Sequence, residues 1–204
     1  MSEVPVPRLL AIAGSPRRGG NSDALLDACA DGARAAGADV DLLVVASAGI
    51  GPCTGCNECS KDGACIVRDG MQAVYPRIDA ADAIVIATPV YFATVPAVLK
   101  ALYDRCQPYW ARRFVLHQPL ERRRPAALLV VGGGGDPYGN SCAIAPTRSI
   151  LAILGADYAH ELAVEADARG DAAAQEPAIR RAREIGEALA LEAYERIRSA
   201  GQQA

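Results

Sequence analysis

Two hydrophobic periods alternate along this chain. Residues 8–13 form a short apolar run that stops at Gly14, and 21–36 then place Leu25, Cys29 and Ala33 on one helical stripe. Residues 39–45 return to the two-residue period through Val40, Leu42 and Val44, and 71–81 fit a helix. The runs 83–87 and 125–131 are continuously apolar, as strands covered on both faces are. Residues 95–106 and 143–154 have helical spacing, 158–164 are strand-like, and 177–199 form a long closing helix with Pro177 in its first turn. Residues 165–176 have no period and are expected to be a loop. Five strands alternating with helices predict an α/β doubly wound parallel sheet with helices on both faces, and ligands beyond the carboxyl ends of its strands. The 204 residues fit one domain, with no repeat and no second core.

Composition narrows the function classes. Half the residues (51%) are hydrophobic and 22% are charged, a globular balance, and a net charge of −3 gives no footprint for nucleic acid or an anionic membrane. The N-terminal residues lack the basic-then-apolar pattern of a secretory leader, and no apolar run reaches membrane-spanning length. A cytoplasmic protein is expected. In that reducing compartment seven cysteines point to metal or redox chemistry rather than disulfides. The arginine pairs and triplets at 17–18 and 122–124 read as local anion contacts or solvated surface.

Three of the predicted strand ends carry loops with binding chemistry. The first is Gly14-Ser15-Pro16-Arg17-Arg18-Gly19-Gly20-Asn21-Ser22, leading into a helix. Hydroxyls at Ser15 and Ser22, the Asn21 amide, Arg17 and the N–H groups of a helix start form an anion cradle, and Asn21 or Ser22 could equally cap that helix. There is no G-x-G-x-x-G, no acidic residue after the second strand and no Walker lysine, so the cradle suits one terminal phosphate of a mononucleotide. The second loop, 88–96, holds Pro89, Val90, Tyr91 and Phe92, able to wall a flat heterocycle unless the two aromatics are core. The third holds Gly133 and Gly134 within a four-glycine run that lets backbone approach a planar ligand.

Between the second and third strands lies Cys53-x2-Cys56-x2-Cys59-x5-Cys65, within an insertion at about 49–70. Thiolates this dense suit soft metals or iron–sulfur clusters. Structural zinc prefers two separated knuckles, whereas here Cys56 would serve both; a cubane spreads its ligands over four irons and accepts consecutive C-x2-C steps. Free redox-active or structural thiols are the reading next to the cluster, with zinc third. Cys29 and Cys106 fall on apolar helix faces and read as core, Cys142 is ambiguous, and His117 and His160 have no metal-ligand partner nearby in sequence.

Together, Gly14-Ser15-Pro16-Arg17 with Asn21-Ser22, Thr88-Pro89-Val90-Tyr91-Phe92 and Leu99-Lys100-Ala101-Leu102-Tyr103-Asp104-Arg105 resemble the flavodoxin-like NAD(P)H-dependent FMN reductases. With the cysteine segment, the chain is most similar to the iron–sulfur flavoproteins of that superfamily. The resemblance implies FMN, its phosphate at Ser15, Arg17, Asn21 and Ser22, its ring at Pro89, Val90, Tyr91 and Phe92, with Gly133 and Gly134 across it. It also implies a [4Fe–4S] cluster on Cys53, Cys56, Cys59 and Cys65, placed as a second redox centre at the flavin's edge of the fold. Electrons would be exchanged with a partner such as ferredoxin or with NAD(P)H, in a homodimer or homotetramer where one subunit's cluster lies near another's flavin. Two alternatives stand beside this one. One is a cluster-free NAD(P)H-dependent FMN or quinone reductase, for which the sequence leaves open whether the cysteine segment or Trp110 fills the nicotinamide space. The other is a flavin-binding sensor module without turnover.

Overall fold

In the computed structural model, which describes residues 5–120, 122–135 and 137–202, five parallel strands lie in the order β2-β1-β3-β4-β5. The chain runs β1 (Arg8–Ala13), α1 (Asn21–Ala35), β2 (Asp39–Val44), a 3-10 turn (Val45–Ser47), α2 (Cys59–Asp62), α3 (Met71–Ala80), β3 (Ala83–Pro89) and α4 (Ala97–Arg105). It continues through α5 (Gln107–Phe114), β4 (Arg124–Gly132), α6 (Ser141–Ile153), β5 (Ala156–Glu165), α7 (Asp171–Ala174) and α8 (Glu176–Gly201). The order reverses between β1 and β3, where the pairing runs from Leu9 with Ala83 to Ala13 with Ala87. This reversal is the switch point of a doubly wound sheet.

Alternation along the strands divides the core into two layers. Leu9, Ala11, Ala13, Ala83, Val85 and Ala87 face α1 and α8, while Leu10, Ile12, Ile84 and Ile86 join the layer that includes Met71, Leu99 and Leu151 from α3, α4 and α6. The first layer uses small residues because its helices pack very closely. A Cβ on Gly186 of α8 would stand 1.8 Å from the carbonyl oxygen of Cys29, and one on Gly32 of α1 would stand 2.0 Å from that of Arg183. Only glycine at both positions lets the two helix backbones meet.

The sequence pattern differs from the fold in two places. The stripe over 95–106 is cut at Cys106, and a separate helix, α5, follows with Pro108 in its first turn. The expected loop 165–176 contains the short α7, held by backbone and side-chain bonds rather than by an apolar stripe. Among the described residues, no helix is long and apolar enough to cross a membrane.

Candidate functional site

Beyond the carboxyl ends of β1, β3, β4 and β5 lies a polar cavity of about 390 Å3. Ser15, Arg17, Asn21, Ser22, Pro89, Val90, Tyr91 and Gly133 all line it, so the three predicted loops converge. Phe92 and Gly134 are not among the lining residues. Tyr91 and Thr94 exchange backbone hydrogen bonds of 2.8 and 3.1 Å, making a two-residue turn with Phe92 and Ala93 at φ 47° and 58°. Left-handed backbone at two non-glycine residues is costly and recurs at ligand-clasping turns. The Phe92 ring sits at the tip, fully exposed, so it is neither core nor cavity wall. Gly134 is left-handed, and a Cβ there would meet the Glu165 carboxylate at 2.6 Å.

The phosphate loop is more organised than its sequence shows. Ser15 Oγ accepts the Arg17 N–H at 3.1 Å, and the buried Asp23 carboxylate accepts the Gly19 N–H at 2.7 Å while pairing with Arg18 at 3.0 Å. The N-cap of α1 is Gly20, with no side-chain cap, so neither Asn21 nor Ser22 is the capping residue and the helix start remains open toward the cavity. The Asn21 amide has a different role. It donates to Ala168 O at 2.9 Å and accepts from Gly170 N and Ala172 N at 3.1 and 3.2 Å. Arg169 adds a bond from Nε to Gly19 O at 2.9 Å. The β5–α7 loop is thereby fastened over the phosphate loop, and Ala166, Asp167 and Arg169 become a fourth wall of the cavity. Sequence reading missed this wall because no motif marks it; its bonds join residues about 150 positions apart.

The four clustered cysteines line a second cavity, of about 280 Å3. Gly55 and Asn57 turn through left-handed backbone at φ 68° and 60°, which folds the segment back on itself. Cys53 and Cys56 are exposed, Cys65 is half-buried and Cys59 is buried. Burial pushes the Cys59 thiol above its ordinary pKa, and the charges of Cys53, Cys65 and Cys56 push it further. By contrast Cys29 and Cys106, pushed up to about 12 by burial, are inert core thiols.

Arg105, at the carboxyl end of α4, completes this cavity. It is the largest fully buried side chain, 1% exposed. Its guanidinium meets both oxygens of Asp69 at 2.5 and 3.0 Å and donates to Gly51 O and Val67 O at 3.1 and 3.4 Å, bracketing the cysteine segment from both sides. Burial opposes its charge, but the Asp69 hydrogen bond and the Cys65 and Asp69 charges outweigh that and raise its pKa. Among the described residues Nε of this buried group has no partner. Four thiols beside a buried cation with a spare donor fit an anionic, sulfur-ligated group. Among the described residues no three Cys, His, Asp or Glu side chains converge closely enough to hold a single metal ion.

The cysteine segment forms a cavity of its own beside the strand-end cavity. The segment leaves the carboxyl end of β2, but its cavity is closed by Asp104, Arg105, Gln107 and Pro108 at the α4–α5 junction. Among the described residues the two cavities share no lining side chain. Trp110 lies on α5 facing a groove against α6, away from the strand-end cavity. A further cavity is lined by Arg112, Arg113, Arg122 and Arg124. Three of these guanidiniums donate to carbonyls at helix ends: Arg122 to Asp79, Arg124 to Ile78 and Ala81, and Arg113 to Ala152. Arg112 donates to Gly63. This arginine cluster is an assembly of helix caps and loop braces. His160 bonds Glu192 at 2.7 Å, joining β5 to α8.

A parallel sheet in the order 2-1-3-4-5 with a polar cavity over its switch point defines a flavodoxin-like fold. Residues 7–168 match the family model described as NADPH-dependent FMN reductase, and the chain belongs to that family. Curated relatives include an "Iron-sulfur flavoprotein" of Methanosarcina thermophila, 33% identical over 126 residues, 62% of this chain and 63% of the relative. Another of the same name, from Archaeoglobus fulgidus, is 34% identical over 131 residues, 64% of this chain and 57% of the relative. The matched region thus spans less than two thirds of either relative. Among solved structures, an NAD(P)H:quinone oxidoreductase from Methanothermobacter marburgensis superposes with a TM-score of 0.68 at 20% identity, covering 91% of this chain and 96% of that one. A flavone reductase superposes with a TM-score of 0.67 at 17% identity over 91% of this chain and 62% of that one. These two share the fold.

Proposed function

We propose that this protein is a flavin-dependent oxidoreductase whose flavodoxin-like domain, with a cysteine-rich insertion at about 49–70, holds FMN over its strand ends and a [4Fe–4S] cluster in the cysteine cavity. The observation that carries this reading is the convergence of Cys53, Cys56, Cys59 and Cys65 on one cavity in a chain of the FMN reductase family. The family match and the names of the curated relatives support it. When bound, FMN supplies one- and two-electron chemistry and the cluster single-electron chemistry.

The protein's own part is to position and insulate. Ser15, Arg17 and the open start of α1 hold the phosphate end, and Asn21 and Arg169 keep the β5–α7 loop closed against it. Pro89, Val90 and Tyr91 wall the ring with Gly133 opposite. The exposed Phe92 at a strained turn is free to meet a partner. No general acid or base is required. Electrons pass to or from a redox partner such as ferredoxin, or arrive from NAD(P)H, in the cytoplasm. Because the two cavities are separate within one chain, a homodimer or homotetramer brings one subunit's cluster to another's flavin.

One observation favours a second reading, a cluster-free NAD(P)H-dependent FMN or quinone reductase: no three donors are closely converged among the described residues. A mononuclear site would need sulfurs about 3.8 Å apart, from Zn–S bonds near 2.3 Å, whereas a cubane spaces its ligands more widely. Anaerobic purification with an absorbance spectrum and iron and sulfide assays decides between them. About four irons and four sulfides per FMN are expected for a cubane; flavin bands without iron would establish the second reading, and a colourless protein unable to bind FMN would remove both.

A further inference from the structure

Cys53, Cys56, Cys59 and Cys65 share their cavity with one fully buried cation, Arg105. Its position is fixed from several sides. Asp69 binds two of its nitrogens, Gly51 O and Val67 O accept from the same pair, and the Tyr75 hydroxyl donates to the Arg105 carbonyl at 2.8 Å. Asp69 stands behind the guanidinium: its carboxylate also accepts the Gly51 and Met71 N–H groups and is not part of the cavity wall. The cavity therefore meets the positive member of the pair, with the negative member one layer further out.

We propose that Arg105 is a positioning residue that sets the reduction potential of the centre held by the four cysteines. This inference rests on the cluster reading above. Four thiolates leave an oxidised [4Fe–4S] centre net anionic, and the single electron taken from the redox partner adds one more negative charge. A buried guanidinium facing the cavity stabilises the reduced form more than the oxidised form by its charge. The burial of the guanidinium itself, 1% exposed, limits how far salt screens its side of the interaction. The same side chain ties Gly51 to Val67, so the ends of the segment and the charge facing its centre are set together.

The test is potentiometric titration of the anaerobically purified, FMN-loaded protein, followed by EPR, with iron and sulfide measured on every variant. Arg105→Gln is expected to lower the cluster potential, shifting the one-electron equilibrium about tenfold, or about 59 mV. Arg105→Lys, which keeps the charge, is expected to stay closer to wild type. Asp69→Asn removes the outer negative charge and is expected to raise the potential. A purely structural clamp predicts otherwise, because loosening the segment from either partner admits solvent and moves both variants in the same direction. Shifts of one sign in Arg105→Gln and Asp69→Asn, or unmoved potentials with full iron, would overturn the inference. If Arg105→Gln cannot retain iron, the rise in Asp69→Asn and the near-constancy of Arg105→Lys decide it. Absence of iron from the wild-type protein would instead overturn the cluster reading itself.

Discussion

At the scale of single residues, Arg17 and Asn21 looked alike in sequence and differ in the fold. Arg17 lines the strand-end cavity with an exposed side chain, whereas Asn21 also pins Ala168, Gly170 and Ala172 with its amide. Their substitutions should separate accordingly. Arg17→Ala is expected to weaken FMN roughly tenfold, the loss of one exposed charge-assisted bond, and to leave riboflavin, which has no phosphate, almost unchanged. Asn21→Ala removes an uncharged pin and should weaken both flavins alike. Flavin fluorescence quenching by the apoprotein measures all four affinities; equal loss of both flavins in Arg17→Ala would remove Arg17 from the phosphate site. The phosphate loop's chemistry was legible because its residue types are local. Asn21's partners were not, since nothing in the sequence around 168–172 announces a contact with the first loop.

At the scale of elements, the contact between α1 and α8 depends on shape more than on hydrophobicity. Gly32 and Gly186 let the two backbones touch, and alanines from β1 and β3 fill the space beneath. Gly186→Ala must push α8 away from the Cys29 carbonyl, costing about 1–3 kcal/mol as overpacking does. Gly201→Ala, where no atom lies within 4 Å, should be neutral or slightly stabilising. Urea denaturation midpoints compare the two, and an unchanged midpoint in Gly186→Ala would mean that the helices separate without penalty. The sequence exposed every strand because continuous or alternating apolar runs leave few choices. It concealed α5, whose Gln107-Pro108-Tyr109-Trp110 start breaks the stripe of α4, and α7, four residues held by hydrogen bonds. It also concealed that Arg105 closes the cysteine cavity, because that depends on which helix end a long insertion packs against.

At the scale of the whole molecule, the separation of the two cavities becomes a statement about assembly. The strand-end cavity opens at the carboxyl edge of the sheet, and the cysteine cavity opens beside α5, which also presents Trp110 and Phe114, tilted against each other with centroids 5.8 Å apart and both substantially exposed. An aromatic pair left in water on the helix that borders the cysteine cavity is a natural contact for a second copy of the chain. If electrons cross between subunits, transfer between cluster and flavin should depend on protein concentration. Trp110→Glu is expected to shift the protein toward monomer in sedimentation velocity while FMN and iron contents stay at wild-type levels. In stopped-flow experiments with a one-electron reductant, the variant's cluster should still reduce at its normal rate and its flavin should follow at least tenfold more slowly. A monomer in which the flavin keeps pace with the cluster would show that one chain carries the whole path. In that case the two cavities, though they share no lining residue, would be connected within a single subunit.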